Sequence, residues 1–265
     1  MSVGRWLRKH ALAVYTVFAF GYLFAPIAYI AVFSFNDSGK SNIVWQGFTL
    51  QNWLDPCGAP DVCEAVENSL KIGVISTILA TALGTMIAFA LARHRFRGRA
   101  GTNLLIFLPM ATPEVVLAAS LLTLFLNLRV DLGLWTIVIA HVMFCISFVV
   151  VAVKARVASL DPRLEQAAMD LYATEWQTFR RVTLPLVAPG IAGAALLAFS
   201  LSFDDYIITN FNSGDVVTFP KFVYVAAQRG IPAQAYVVGT FMFALALAIV
   251  VTAELVRQRR ASARV

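Results

Sequence analysis

Three carboxylates fall within or at the end of long apolar runs of the sequence. Glu114 stands in the middle of one run, and Asp204 and Asp205 close another. An ionisable side chain at membrane depth costs about 3 kcal/mol or more, so such groups face a polar cavity or a partner. Carboxylates along a path replace the lost hydration of a cation through charge-assisted hydrogen bonds, and Tyr206 beside them adds cation–π contacts with alkylammonium groups. These residue types suit a path for a cationic solute.

Each carboxylate also has a purely structural interpretation. Asp204 and Asp205 can cap a helix end or form a salt bridge to another subunit, and Glu114 can be buried against a partner helix or a partner arginine. His141, in another apolar run, is expected to be a hydrogen-bonded packing residue, because a proton relay requires several ionisable groups along one path. The sequence leaves the transport role and the structural role of the carboxylates open.

The elements that position these residues are membrane spans. Of the 265 residues, 59% are hydrophobic and 14% charged, which excludes an ordinary soluble enzyme, a disordered chain and a disulfide-stapled secreted domain. Spans must be helical, because unpaired backbone groups are not tolerated in hydrocarbon. Six apolar runs supply the roughly 20 residues that each helix needs, at about 11–35, 67–92, 102–127, 133–153, 188–208 and 235–256. We expect an all-α membrane protein with six transmembrane helices in one domain over 1–265.

The basic residues predict the orientation of these spans. Most of the 21 lysine and arginine residues lie in alternate connections, namely before the first run, after the second, after the fourth and after the sixth. This positive-inside distribution predicts that both termini are cytoplasmic. The chain has no basic patch interleaved with aromatic residues, so no nucleic-acid partner is expected. The first outer loop is acidic, either because it steers cations or because acids collect where basic residues are excluded.

The chain has three cysteines. Cys57 and Cys63 lie in the first outer loop, where an oxidising exterior permits a disulfide between them, with free thiols as the alternative. Two cysteines do not make a zinc site, which requires four ligands. Cys145 lies inside the fourth run and is expected to pack there, so none of the three is interpreted as catalytic.

The long inner connection, 154–187, predicts two short amphipathic helices. Asp161 followed by Pro162 is typical of a helix start, and Thr174 with Gln177 three residues later fits a capping box. The second helix is expected to stop at Pro185. Such helices at a cytoplasmic surface either lie on the bilayer or dock a soluble partner.

The same connection resembles the EAA motif of ABC importer permeases, which reads roughly E-A-A-x-x-x-G and, after a spacer, I-x-L-P. Two positions depart from the motif: Gln166 stands at the usual glutamate, with Glu165 one residue early, and Tyr172 stands at the usual glycine. The resemblance implies a loop that couples to an ATPase, with the coupling residues Glu165, Gln166, Ala167, Ala168, Asp170, Leu171, Tyr172, Ala173, Phe179, Leu184 and Pro185.

The resemblance extends over most of the chain, which looks like a member of the spermidine/putrescine permease subfamily. It is carried by the runs beginning Pro113-Glu114, His141-Val142 and Leu201-Ser202, the last of which includes Asp204, Asp205 and Tyr206. It implies a type I importer with a MetI-like bundle in the cytoplasmic (inner) membrane, and membrane lipid around it. The implied partners are a second permease subunit, a homodimeric ATPase and an extracytoplasmic substrate-binding protein. ATP and Mg would be bound by that ATPase, and this chain would bind no cofactor or metal.

Two other functions compete with polyamine import. The first is an ABC permease for a sugar, an amine or another small molecule, since the acidic residues argue against anions but not against neutral solutes. The second is a secondary transporter or channel driven by ion gradients. An intramembrane enzyme finds no support, because the runs contain no nucleophile–base pair or metal constellation.

Overall fold

The computed structural model describes residues 3–39 and 41–262. Lys40 and the two chain ends, 1–2 and 263–265, lie outside the described residues. That both termini are cytoplasmic stays a prediction. The helices in chain order are α1 (Val3–Phe33), α2 (Gln51–Leu54), α3 (Val62–Arg93), α4 (Arg99–Ala111), α5 (Glu114–Asn127), α6 (Leu134–Ala158), α7 (Arg163–Asp170), α8 (Glu175–Thr178), α9 (Leu184–Asp204), α10 (Ile207–Asn212), α11 (Phe219–Arg229) and α12 (Ala233–Ser262).

Among the described residues, five helices are long and apolar enough to cross a membrane, and α4 with α5 makes a sixth if that bent pair is counted as one. The prediction of an all-α membrane protein is confirmed. The described chain divides into two compact units, one from Met1–Cys63 with Val223–Val265 and the other from Glu64–Phe222. The prediction of one permease domain over 1–265 stays a prediction.

The third predicted span, 102–127, is wrong as a single straight helix. The axes of α4 and α5 meet at 108°. Thr112 is extended, with ψ 133°, because the ring of Pro113 disfavours the helical conformation in the residue before it. Pro113 also has no N–H to continue the hydrogen-bond ladder. The bend places Glu114 at the first position of α5.

The expected helix stop at Pro185 is also wrong. Residues Phe179–Thr183 form a π-helical segment that joins α8 to α9, and Leu184 N–H bonds to Phe179 C=O, five residues earlier. A wider π turn accommodates a proline that lacks an N–H and would clash with the carbonyl four residues back. Residues Glu175–Asp204 are therefore one helical rod of 30 residues, and the connection predicted over 154–187 is reduced to 159–174.

The core of the second unit is built around α6, which packs against α4, α9 and α10. Ile137, Val149 and Val153 on α6 are fully buried. A Cβ at Gly84 of α3 would lie 2.7 Å from Val149 Cγ1, so only glycine permits the close approach of α3 to α6 here. The close packing fixes the frame that holds the polar residues described below.

The segment between α10 and α11 is held to its own unit by Lys221. Its Nζ donates to Ser213 Oγ at 2.7 Å and to the carbonyls of Gly214 and Val216. Burial lowers the pKa of Lys221, and the nearby Asp215 opposes that change. Three hydrogen bonds from one ammonium fix the turn that follows α10.

In the first unit, α1 packs against α12. The Tyr29 and Tyr236 rings meet edge to face with centroids 6.4 Å apart. The loop after α1 is organised by buried asparagines: Asn36 Nδ2 donates to Asn42 Oδ1 at 2.7 Å, and Asn52 Nδ2 donates to Asn36 C=O at 2.9 Å. These amides satisfy backbone groups of the irregular segment between α1 and α2.

Cys57 and Cys63 form a disulfide in the structure, with Cα atoms 5.4 Å apart. It closes a short turn between α2 and α3. Cys145 is a free, buried cysteine on α6, as its position in an apolar run predicts.

Candidate functional site

Asp205 lies at the break between α9 and α10 and is buried. Its Oδ1 accepts a hydrogen bond from Thr209 N–H at 2.9 Å and lies 3.4 Å from His141 Nε2. The His141 ring, 1% exposed, also contacts Ser202 Oγ at 2.7 Å through Nδ1 and Thr209 Oγ1 at 3.0 Å through Nε2. Asp205 therefore caps α10, the structural role that the sequence left open, and His141 joins α6 to both sides of the break.

Asp204 and Glu114 differ from Asp205 in burial. Asp204, the last residue of α9, and Glu114, the first residue of α5, are both exposed. Helix α5, which begins at Glu114, packs against α10. Tyr206 is half-buried directly after the break. The two neighbouring aspartates therefore differ: Asp205 is buried and stabilises the break between α9 and α10, whereas Asp204 is exposed.

The connection after α6 forms the helices that its caps predict. Asp161 Oδ1 accepts from Arg163 N–H at 2.9 Å at the start of α7. Thr174 Oγ1 accepts from Gln177 N–H at 3.3 Å while Gln177 Oε1 accepts from Thr174 N–H at 3.0 Å, which is the predicted capping box. Helix α7 and the start of the rod are thus specified locally by these side chains.

Tyr172 takes the backbone conformation that glycine usually supplies at this position. Its φ is +62°. Ala173 N–H bonds to Ala168 C=O and Tyr172 N–H bonds to Met169 C=O, the two bonds of a Schellman motif at the end of α7. The left-handed conformation costs a residue with a Cβ roughly 1–2 kcal/mol. Tyr172 therefore differs from the glycine of the motif in its side chain, while its backbone keeps the conformation that glycine favours.

We expect Tyr172→Gly to stabilise the end of α7 by about 1 kcal/mol, because glycine adopts this conformation without steric cost. Amide hydrogen exchange at 168–173 in the isolated protein should slow about fivefold. Tyr172→Ala, which removes the ring but keeps the Cβ, is the matched control and should bring no such protection. Equal protection in the two variants would contradict the explanation.

Glu165 joins the connection to two other parts of the second unit. Its Oε1 accepts from Arg93 Nη2 at 2.8 Å, at the end of α3, and from Thr183 Oγ1 at 2.8 Å, in the π segment. Both partners of the ion pair are about one quarter exposed. One carboxylate oxygen therefore connects α3, α7 and the rod that continues as α9.

The other predicted coupling residues form the surface of the connection. Leu171 and Tyr172 project from its tip, 81% and 95% exposed. Phe179 is half-buried and packs edge to face on Phe89 at 5.4 Å. The exposed members are Gln166, Ala167, Asp170 and Pro185, and the half-buried members are Ala168, Ala173 and Leu184.

Sequence reasoning missed the partners of these residues. No local pattern connects Arg93 to Glu165, which are separated by 72 positions. Ser202 and Thr209 could have been found, because they lie three residues before and four residues after Asp205, the helical spacing of one face. Both are polar residues close to Asp205 in the sequence, and both contact His141.

The long apolar helices among the described residues define an integral membrane protein. Residues 72–261 match the family described as "Binding-protein-dependent transport system inner membrane component", and the chain belongs to that family. It is a multi-pass inner-membrane permease subunit of an ABC importer. Such an importer includes an ATPase and a substrate-binding protein.

Two curated relatives extend this comparison. The chain is 34% identical over 255 residues to the spermidine/putrescine transport system permease protein PotC of Escherichia coli (strain K12), covering 96% of this chain and 95% of the relative. It is 37% identical over 226 residues to the putrescine transport system permease protein PotI of the same strain, covering 82% and 80%.

Solved structures share the fold. A chain of a bacterial ABC transporter involved in the import of the acidic polysaccharide alginate aligns with a TM-score of 0.69 and 16% identity, covering 97% of this chain and 98% of that one. A chain of the MetNI methionine ABC transporter, in inward-facing conformations, aligns with a TM-score of 0.59 and 14% identity, covering 72% and 92%. At these identities the comparison concerns the fold alone.

Proposed function

We propose that this permease translocates a polyamine such as spermidine or putrescine, driven by ATP hydrolysis in a partner ATPase. The observation that carries the proposal is the exposure of Asp204 and Glu114 on helices of a membrane protein. Exposed carboxylates at membrane depth require a polar cavity or a partner, and a polyamine, with several positive charges, is a solute that such a cavity suits. The names of PotC and PotI support the same solute class.

The proposed role of this chain is mechanical, with no hydrolysis of its own. ATP and Mg would be bound by a homodimeric ATPase, a second permease subunit would complete the cavity, and an extracytoplasmic protein would deliver the solute. ATP-driven closure of the ATPases would move α7, and the contacts of Glu165 would pass that movement to α3 and the rod. With the connection after α6 facing the ATPase, both termini would be cytoplasmic.

Uptake of labelled spermidine and putrescine tests the proposal in cells that lack this chain. Wild type should restore uptake, and Asp204→Asn or Glu114→Gln should reduce it at least tenfold while the subunits still assemble, since each loses a charge-assisted hydrogen bond. Glu67→Gln, which removes an exposed carboxylate paired with Lys71, is the matched control and should transport normally. If the wild-type chain restores uptake of neither polyamine, the solute assignment is refuted.

Leu171→Asp should abolish copurification of the ATPase without unfolding the permease. The side chain is 81% exposed at the tip of the connection, and a charge placed in an apolar interface loses its hydration. Leu171→Met retains the apolar character and should copurify normally. If the aspartate variant copurifies normally with the ATPase, the tip of the connection is not the docking surface.

A further inference from the structure

We propose that a cavity beside the connection after α6 binds a linear alkylammonium ion, namely the solute after its release into the cytoplasm. The identity of that solute rests on the proposed function. The cavity lies within the second unit, between the end of α3 and the helices α7 and α8, and has a volume of about 830 Å³. Sites for small molecules in proteins span roughly 300–1,000 Å³, so the space is large enough for a polyamine.

Aromatic rings form one wall of the cavity. Trp176 stacks on Phe179 with centroids 5.7 Å apart, and Phe89 meets Phe179 edge to face at 5.4 Å. Met86 and Met169 complete the apolar lining. Such a wall suits the methylene segments of a polyamine, and ring faces attract its ammonium groups through cation–π contacts.

The charged lining favours a cation. Glu165, Glu175 and Arg93 line the cavity together with His94, so with His94 neutral one net negative charge remains. Glu165 is already paired with Arg93 at 2.8 Å, whereas Glu175 is an exposed carboxylate for which the structure gives no ion pair. An anionic ligand would meet an uncompensated carboxylate here, and an ammonium ion would neutralise it.

The cavity is separate from the tip that we assign to ATPase docking. Leu171 and Tyr172, the most exposed residues of that tip, do not line the cavity. The lining does include Glu165 and Thr183, the carboxylate and hydroxyl that connect α7 to the rod. A cation bound in the cavity would compete with Arg93 for Glu165, so released solute would weaken the contact that couples the connection to α3.

The test uses the complete transporter in proteoliposomes, with the ATPases facing outward and loaded substrate-binding protein sealed inside. Spermidine added outside then reaches only the cytoplasmic face, and hydrolysis of external ATP is measured against its concentration, with potassium chloride at matched ionic strength as control. Basal hydrolysis without binding protein is measured in the same way, so the result does not depend on which solute that protein prefers.

In the wild type, external spermidine should lower ATP hydrolysis. Glu175→Gln should raise the half-inhibiting concentration about tenfold, because a charge-assisted hydrogen bond is lost, and Trp176→Leu should raise it about fivefold through loss of ring contact. Glu67→Gln should leave it unchanged. Inhibition that is absent in the wild type, or identical in the wild type and both cavity variants, would overturn the proposal. Failure of polyamine uptake with an inhibition that still depends on Glu175 would refute the proposed function and leave the cavity as an alkylammonium site.

Discussion

Replacing His141 by alanine should lower the free energy of unfolding by about 3–5 kcal/mol. The ring is almost fully buried and contacts Ser202, Thr209 and Asp205. Its removal leaves a cavity and a carboxylate that is only 4% exposed, with no compensating donor from α6. The loss of a buried polar partner together with a new cavity is among the few causes of destabilisation of this size.

Thermal unfolding of the purified permease measures the effect, and we expect the melting temperature to fall by about 10 °C. His94→Ala removes an exposed histidine and is the matched control, with no expected change. His141→Gln retains one hydrogen-bonding group and should lie between the two. If His141→Ala and His94→Ala unfold at the same temperature, the network does not stabilise the break between α9 and α10.

Glu165→Ala should reduce transport about 100-fold while the protein remains folded. The substitution removes two hydrogen bonds that the Glu165 carboxylate accepts, each contributing roughly 1.5–3 kcal/mol. With them it removes the contacts of α7 with α3 and with the rod. Glu165→Gln retains an acceptor oxygen for Arg93 and Thr183 and should lose less. Uptake of labelled solute, normalised to the amount of assembled transporter, is the measurement.

A double-mutant cycle separates the ion pair from other effects of Glu165. Arg93→Ala, Glu165→Ala and the double variant should be strongly non-additive, because either substitution alone breaks the same contact. Arg97→Ala, an exposed arginine in the loop after α3, serves as the control and should be additive with Glu165→Ala. Additive losses for Arg93 and Glu165 would show that the ion pair is not the coupling contact.

The features that the sequence could predict are those set by local chemistry. Apolar runs of sufficient length predicted the spans. The caps at Asp161 and Thr174 are confirmed because an oxygen acceptor near the first free N–H groups of a helix acts within one turn. Cys57 and Cys63 are also close in the sequence, and they form a disulfide in the structure.

The features that sequence reasoning missed depend on geometry over longer distances. Pro113 was visible in the third run, but a proline in a membrane helix sets no bend angle by itself, because neighbouring helices and side chains can satisfy the freed groups. Pro185 suggested a stop, and the π segment before it removed the clash. The pairing of Arg93 with Glu165 results from the packing of α3 against the connection and has no counterpart in any local pattern.

The unbroken rod Glu175–Asp204 constrains the length of the chain between its ends. A helix advances about 1.5 Å and turns about 100° per residue. The number of residues between Trp176 and Asp204 therefore fixes the angle between their side chains around the helix axis. An insertion or deletion of a single residue within the rod would swing Asp204 about 100° around the axis and displace the cytoplasmic end relative to the carboxylate. The loop 94–98 joins separate helices and has no such angular relation to preserve. Indels in this protein should be tolerated in that loop and excluded from the rod.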